Sequence, residues 1–232
     1  MQPYLYPYGG YFRLIEAVDL FVVFDCVQFP RRGRVHRVEV PGHHGGPEWR
    51  TLPLARHPQD VRIRDLAFAS DARTRLDERL RRYAWLSRAV GPAAADVRAH
   101  LGAPLHDVVG FLVDGIRLVC RLAGIATPIV RSSELAIDPS LRGQERVIAI
   151  AAAHGARVYV NPSGGVRLYD PDRFAAAGMA LRFLAPYDGP LRHLLPALLH
   201  ETPEHLRADL VGRAVLLPAH AMGAGAPDGP VA

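Results

Sequence analysis

Apolar and polar positions along this chain follow two periods, and the switches between them mark the elements. Phe12 to Val18 is a short amphipathic stretch, and the apolar run Leu20-Phe21-Val22-Val23-Phe24 follows it and closes on Asp25-Cys26, with Gln28 just beyond. That order predicts loop, helix and buried strand, with polar side chains at the strand's carboxyl end. Val35-His36-Arg37-Val38-Glu39-Val40 alternates strictly and predicts a half-exposed strand; Trp49 to Leu54 predicts another. Between them Pro41 to Pro47 is a Gly/His loop, so Phe24 to Leu54 is expected to form a small antiparallel meander. From Ser70 to Arg88 the period becomes helical, with Leu76, Leu80, Tyr83 and Ala84 on one face and arginines on the other. Ala93 to Leu101 and Leu105 to Ala123 continue as helices. Val108, Leu112, Ile116, Val119 and Leu122 form one apolar stripe, and Gly124 is placed to cap it.

Ile129-Val130 predicts a short strand, Ser132-Ser133-Glu134 a linker or cap, and Gly143 to His154 a helix. Val158-Tyr159-Val160 predicts a buried strand that opens into the loop Asn161 to Gly165. A short helix from Pro171 to Ala177 and a strand from Leu181 to Leu184 follow, and Leu191 to Leu199 and Pro203 to Val211 predict the last helices. The expected fold is α/β: a mostly parallel, Rossmann-like sheet with an antiparallel extension near residues 35–54 and a helical insertion over about 70–122. Residues 1–218 read as one domain, and the Gly/Ala/Pro-rich residues 219–232 read as a disordered tail.

Composition narrows the chemistry. The 232 residues are 49% hydrophobic and 22% charged, enough for a sizeable core. No apolar run approaches the length of a membrane span, and the N-terminus lacks a basic region followed by an apolar one. Cys26 and Cys120 make no disulfide framework, so a reducing, cytoplasmic setting is expected. All 28 basic residues are arginines. The heavy use of Ala, Gly, Pro and Arg points to a GC-rich genome as the cause. The consequence is chemical: there is no lysine for a Schiff base, a phosphate loop or a general base, and proton transfer falls to His, Asp, Glu, Cys or Tyr. The net charge of +5 suits phosphate-bearing small molecules, and no nucleic-acid-binding signature accompanies it.

Ligands of open α/β sheets bind at the carboxyl ends of the strands. That rule makes Asp25 a candidate base, and Cys26 with His36 a candidate nucleophile–base pair across a turn. Arg31, Arg32, Arg34 and Arg37 crowd one hairpin, where guanidinium forks match phosphate or carboxylate. Asn161-Pro162-Ser163-Gly164-Gly165, with Tyr169-Asp170 beyond, follows a buried strand and offers backbone N–H groups to an anion or hydroxyl. Gln2 and Tyr11 flank the loop that leads into the first helix. His43-His44, His36 and His57 lack metal-ligand spacing, so no metal is expected.

Several stretches together resemble the WbqC-like protein family. They are residues 1–25, Arg32-Gly33 through His36-Arg37, Trp49 to Leu54, Ala123 to Thr127, Arg146-Val147-Ile148, Tyr159 to Gly165, then Leu168-Tyr169-Asp170 with Phe174. The match runs in order over roughly residues 1–190. Arg32 and Arg37 fall on family positions, whereas Arg34, His36 and Cys26 stand where the family has tryptophan, asparagine and a second acidic residue. Members carry a short apolar strand ahead of the stretch that here starts at Met1. Gly9-Gly10-Tyr11 before the first helix also resembles the loop of HxGH nucleotidyltransferases, with the histidines replaced, which implies a Rossmann-like sheet without nucleotidyl transfer. WbqC-like proteins are encoded among bacterial surface-polysaccharide and secondary-metabolite genes. The resemblance therefore implies a transferase that moves an acyl or aminoacyl group onto the amine or hydroxyl of a sugar-like acceptor. Its expected donor is an acyl-CoA or an acyl-carrier-protein thioester, with no bound cofactor, and its acceptor a nucleotide sugar or amine. In that scheme Asp25 or His36 deprotonates the acceptor, Arg32 and Arg37 hold a phosphate, and the loop with Asn161, Gly164, Gly165 and Tyr169 orients the acceptor. The alternatives are a non-catalytic ligand-binding or scaffold protein that partners a biosynthetic enzyme, and a Cys26-dependent thiol hydrolase or transferase.

Overall fold

The structure is a computed structural model that describes residues 1–42, 46–83, 86 and 88–222. The chain enters through Tyr4-Leu5-Tyr6, all buried, with Tyr6 held at φ 45°, a left-handed conformation unusual for a side-chain-bearing residue. The Tyr6 hydroxyl meets His100 Nδ1 at 2.7 Å, and His100 Nε2 lies 2.9 Å from the Phe111 carbonyl, so tertiary bonds hold that strained turn in place.

Helix α1 (Gly9–Glu16) follows, almost wholly buried, and then strand β1 (Phe21–Val23). The predicted hairpin is present as β2 (Arg37–Pro41) and β3 (Pro47–Thr51), antiparallel with Arg37 opposite Thr51 and Glu39 opposite Trp49. Its alternation is used as expected, because Val38 and Val40 are buried while Glu39 is not.

Next come α2 (Ala72–Arg81), α3 (Ala94–Leu101) and the sixteen-residue α4 (Val108–Ala123). Asp107 caps α4 by accepting from the Val109 N–H at 3.0 Å, and Gly124 closes it at φ 71°, the left-handed cap expected from its sequence. Strand β4 (Ile129–Arg131) pairs parallel with β1. The second half runs α5 (Gly143–Ala153), β5 (Val158–Pro162), α6 (Pro171–Ala176) and β6 (Ala180–Leu184), with β5 and β6 parallel. It ends with α7 (Leu194–His200), α8 (Pro203–Leu210) and β7 (Leu216–Pro218), which lies antiparallel on β6.

The fold is thus mixed α/β, and two sequence expectations need correction. Among the described residues, the strands form three small sheets, β1–β4, β2–β3 and β5–β6–β7, in place of one Rossmann-like sheet. The cause is local: β1 and β4 are three residues long, and the edge of β1 away from β4 meets Met1, whose ammonium donates to the Val22 carbonyl and whose carbonyl accepts from the Phe24 N–H. The helix expected over 70–88 stops at Arg81, because the chain turns so that Tyr83 and Leu86 enter the core; Ala84 lies outside the described residues. Helix α4 lies in the main core with Phe12, Ile15, Leu198 and Leu206, whereas Phe174, Met179, Leu181 and Phe183 form a second, smaller cluster. Burial of this kind contributes about 1.5–3 kcal/mol for each large apolar side chain. At the C-terminal end Ala219–Ala221 form a 3-10 turn, and Met222 packs on the second cluster. Among the described residues no helix is long and apolar enough to cross a membrane.

Candidate active site

The carboxyl end of β1 is polar, as its sequence promised, but its polar groups are consumed internally. Asp25 has no exposed surface. Its Oδ1 accepts from the Ser132 hydroxyl at 3.0 Å and the Ser133 N–H at 2.9 Å, and its Oδ2 from the Ser133 hydroxyl at 2.6 Å and Arg131 Nε at 2.9 Å. A carboxylate with both oxygens doubly occupied has no lone pair to offer an acceptor amine. In this conformation Asp25, the base candidate of the sequence, ties β1 to the turn that leaves β4. In the sequence Ser132 and Ser133, with Glu134, were legible only as a linker or cap.

Cys26 is buried beside it, and its Sγ is 3.1 Å from Arg146 Nε. Arg146 is itself buried and also donates to the Asp138 carbonyl at 3.2 Å. Cys26 therefore faces an arginine, and His36 packs elsewhere: its ring lies edge-on to Phe29, with centroids 4.9 Å apart. The Cys26–His36 pair is not assembled.

The basic hairpin divides its arginines between two tasks. Arg37 donates through Nε to the Gly33 carbonyl at 2.8 Å, and a second of its nitrogens reaches the Arg32 carbonyl. Its guanidinium also sits 4.3 Å over the Trp49 ring, with Arg34 4.9 Å from the same ring. Arg37 is therefore the clamp of its own turn rather than a free anion fork. Arg32 is exposed, and its carbonyl accepts from Arg37.

His36 opens onto a cleft of about 550 Å³ between the hairpin and α2. Arg31 and Arg56 line it from two loops, Arg75 and Arg79 from one face of α2, and His57 from the segment after β3. Phe29 lies between the imidazoles, its ring centroid 5.3 Å from that of His57. Burial, with Arg37 and His57 nearby, lowers the His36 pKa to about 4, so the ring is neutral at physiological pH. Its Nδ1 is buried and has no hydrogen-bond partner among the described residues. Burial, then repulsion from Arg75 and Arg82, also pushes the Arg79 pKa down, a sign of crowded positive charge. The helical spacing of Arg75 and Arg79 places both on one face of α2. Without the fold that face reads as solvated, and only the hairpin opposite converts it into a wall.

The remaining sequence candidates are scattered. Tyr11 is a core residue whose hydroxyl donates to the Gln2 carbonyl at 2.8 Å, which pins the N-terminal loop; Gln2 Oε1 is buried without a partner. Gly164 and Gly165 lie in a 3-10 helix (Ser163–Leu168) rather than an open loop. Asn161 is buried, accepts from the Tyr159 hydroxyl at 3.2 Å and donates to the Pro162 carbonyl at 3.2 Å, and Tyr159 meets Tyr169 hydroxyl to hydroxyl at 3.4 Å. A Cβ on Gly165 would collide with Asn161 Nδ2. Gly165→Ala is therefore expected to lower stability by about 1–3 kcal/mol in a urea titration, as overpacking does. His43 and His44 lie outside the described residues.

The sequence reading also missed the network around Arg13. Arg13, on the otherwise apolar α1, pairs with Asp209 at 2.8 Å and Asp188 at 2.7 Å, and its guanidinium lies 4.6 Å from the Tyr187 ring centroid.

Fold and cleft together describe a mixed α/β protein with an arginine-lined cleft and a neutral histidine in its wall. The chain belongs to the WbqC-like protein family, whose sequence model matches residues 2–190. No curated protein and no solved structure gives a significant match to it.

Proposed function

We propose that this protein is a transferase of glycan or natural-product assembly whose substrate site is the arginine-lined cleft, with His36 as the proton acceptor. The observation that carries the reading is His36 itself: a neutral imidazole in the wall of a cleft that four arginines line. The gene company implied by the family supports a sugar-like acceptor, and the cationic wall supports one that bears phosphate. In the reaction proposed, the acceptor's amine or hydroxyl attacks the carbonyl of an acyl or aminoacyl thioester. The C–S bond breaks as the new C–N or C–O bond forms; His36 takes the acceptor's proton and returns it to the departing thiolate. An anion seated among the arginines offsets the repulsion that Arg37 and His57 exert on the imidazole, so substrate binding makes His36 a stronger base.

The test is turnover with acyl-CoA and acyl-carrier-protein donors and nucleotide-sugar acceptors. His36→Gln, shown by circular dichroism to be folded, is expected to lose about 10²–10⁴-fold in kcat, the usual contribution of a positioned base. Cys26→Ser is expected to remain active, because its Sγ is occupied by Arg146. Full turnover in His36→Gln sinks the reading. The internal commitment of Asp25 and Cys26 favours one second reading, a binding protein without catalysis. Saturable nucleotide-sugar binding with no turnover from any donor would decide for it.

A further inference from the structure

The charge around the cleft specifies more than an anion. Arg31, Arg56, Arg75 and Arg79 reach it from three separate segments, and no carboxylate is among the lining residues. Among the described residues neither Arg31 nor Arg56 has a hydrogen bond or ion pair, and both are exposed. Arg79 spends one nitrogen on a neutral acceptor, the Thr51 carbonyl. Among the described residues the Arg75 side chain meets Asp71, at 3.4 Å, in an exposed pair that contributes little. Four guanidiniums are thus balanced by one weak carboxylate contact outside the cleft. Guanidinium forks on opposite walls need oxygen atoms spread over more than one tetrahedral group. A cleft of about 550 Å³ also exceeds what an inorganic ion fills and falls within the range of small-molecule sites, about 300–1,000 Å³. Leu54 and Ala55 supply an apolar stretch of wall for an uncharged portion.

We propose that the cleft takes a diphosphate ester, with Arg31 and Arg56 on one side and Arg75 and Arg79 on the other gripping its two phosphoryl groups. This rests on the placement of the substrate site given above and names its ligand class. A diphosphate reaches such a site either as part of a nucleotide or attached to a lipid chain, and the shared group is what the arginines read.

Calorimetric titration of the full chain with inorganic pyrophosphate, inorganic phosphate, UDP and geranyl diphosphate tests it. Pyrophosphate is expected to bind at least about tenfold more tightly than phosphate, through charge-assisted forks that phosphate cannot satisfy on both walls. Arg31→Ala and Arg56→Ala, at exposed positions that leave the core intact, are each expected to weaken pyrophosphate about tenfold, and added salt to weaken it further. Tighter binding of UDP than of pyrophosphate assigns the nucleotide source, and tighter binding of geranyl diphosphate assigns the lipid source. Equal affinity for phosphate and pyrophosphate, or wild-type affinity in both arginine variants, overturns the proposal. Binding is read here without turnover. Pyrophosphate binding together with an active His36→Gln therefore removes the catalytic reading alone, and turnover that depends on His36 without pyrophosphate binding removes the diphosphate alone.

Discussion

Asp25→Ala is expected to lower the unfolding free energy by about 3–5 kcal/mol, the range found when a buried charged partner is removed and its mates are left uncompensated. The magnitude follows from what the carboxylate holds. Four donors converge on it, and two of them, the Ser132 hydroxyl and the Ser133 N–H, are left without an acceptor in a dry site. Arg131 keeps Asp107 at 3.2 Å, an exposed carboxylate that cannot replace the lost one. The damage spreads, because the same bonds dock the end of β4 against β1, and a two-stranded sheet of three-residue strands has few rungs to spare. Urea denaturation of Asp25→Ala, with Ser133→Ala as the milder companion at about 1 kcal/mol, measures this. A loss of less than about 0.5 kcal/mol, the level of ordinary surface substitutions, would show that the carboxylate is not structural and would restore it as a catalytic candidate.

Asp25 also shows why the sequence placed elements well and the site less well. Periodicity reports which face of an element is buried, so α1, α4, α5 and the β2–β3 hairpin lie close to where hydrophobic spacing puts them. The Gly124 cap was legible for the same local reason. A polar residue after an apolar strand carries no such information. It looks the same whether it faces a ligand or, like Asp25, is satisfied by Ser132 and Ser133 from more than a hundred positions away. Arg37 is a parallel case: a basic turn suggests anion capture, and the sequence carries no sign that this side chain closes on Gly33 and Trp49. The cleft needed both the hairpin and α2 to be placed before Arg31, Arg56, Arg75 and Arg79 became neighbours of His36. The division of the strands into separate small sheets was equally invisible, because strand length and edge partners are tertiary facts.

Arg13 gives the second large expectation. Its side chain is buried on α1, with Nε on the Asp209 carbonyl at 2.9 Å, one terminal nitrogen on Asp209 Oδ1 and the other on Asp188. Asp209 is buried as well and accepts at its second oxygen from the Tyr187 hydroxyl at 2.5 Å, while that hydroxyl in turn accepts from the Leu191 N–H at 2.9 Å. Three segments distant in sequence, α1, the loop before α7 and the end of α8, therefore meet at one carboxylate. Arg13→Met leaves Asp209 charged and buried with a single donor, so a loss of about 3–5 kcal/mol is expected. Asp188 contributes little of this, because its side chain is largely in water. Arg13→Lys should recover only a minor part, since one ammonium cannot reproduce a fork that reaches a backbone carbonyl and two carboxylates. The double variant Arg13→Met/Asp209→Leu removes both charges together and is expected to be more stable than Arg13→Met alone, because no unpaired ion remains buried. A double-mutant cycle read by urea denaturation measures that coupling. Additive losses, with the double variant the least stable of the set, would show that the two residues act independently and that the network is not what fastens α1 to α8.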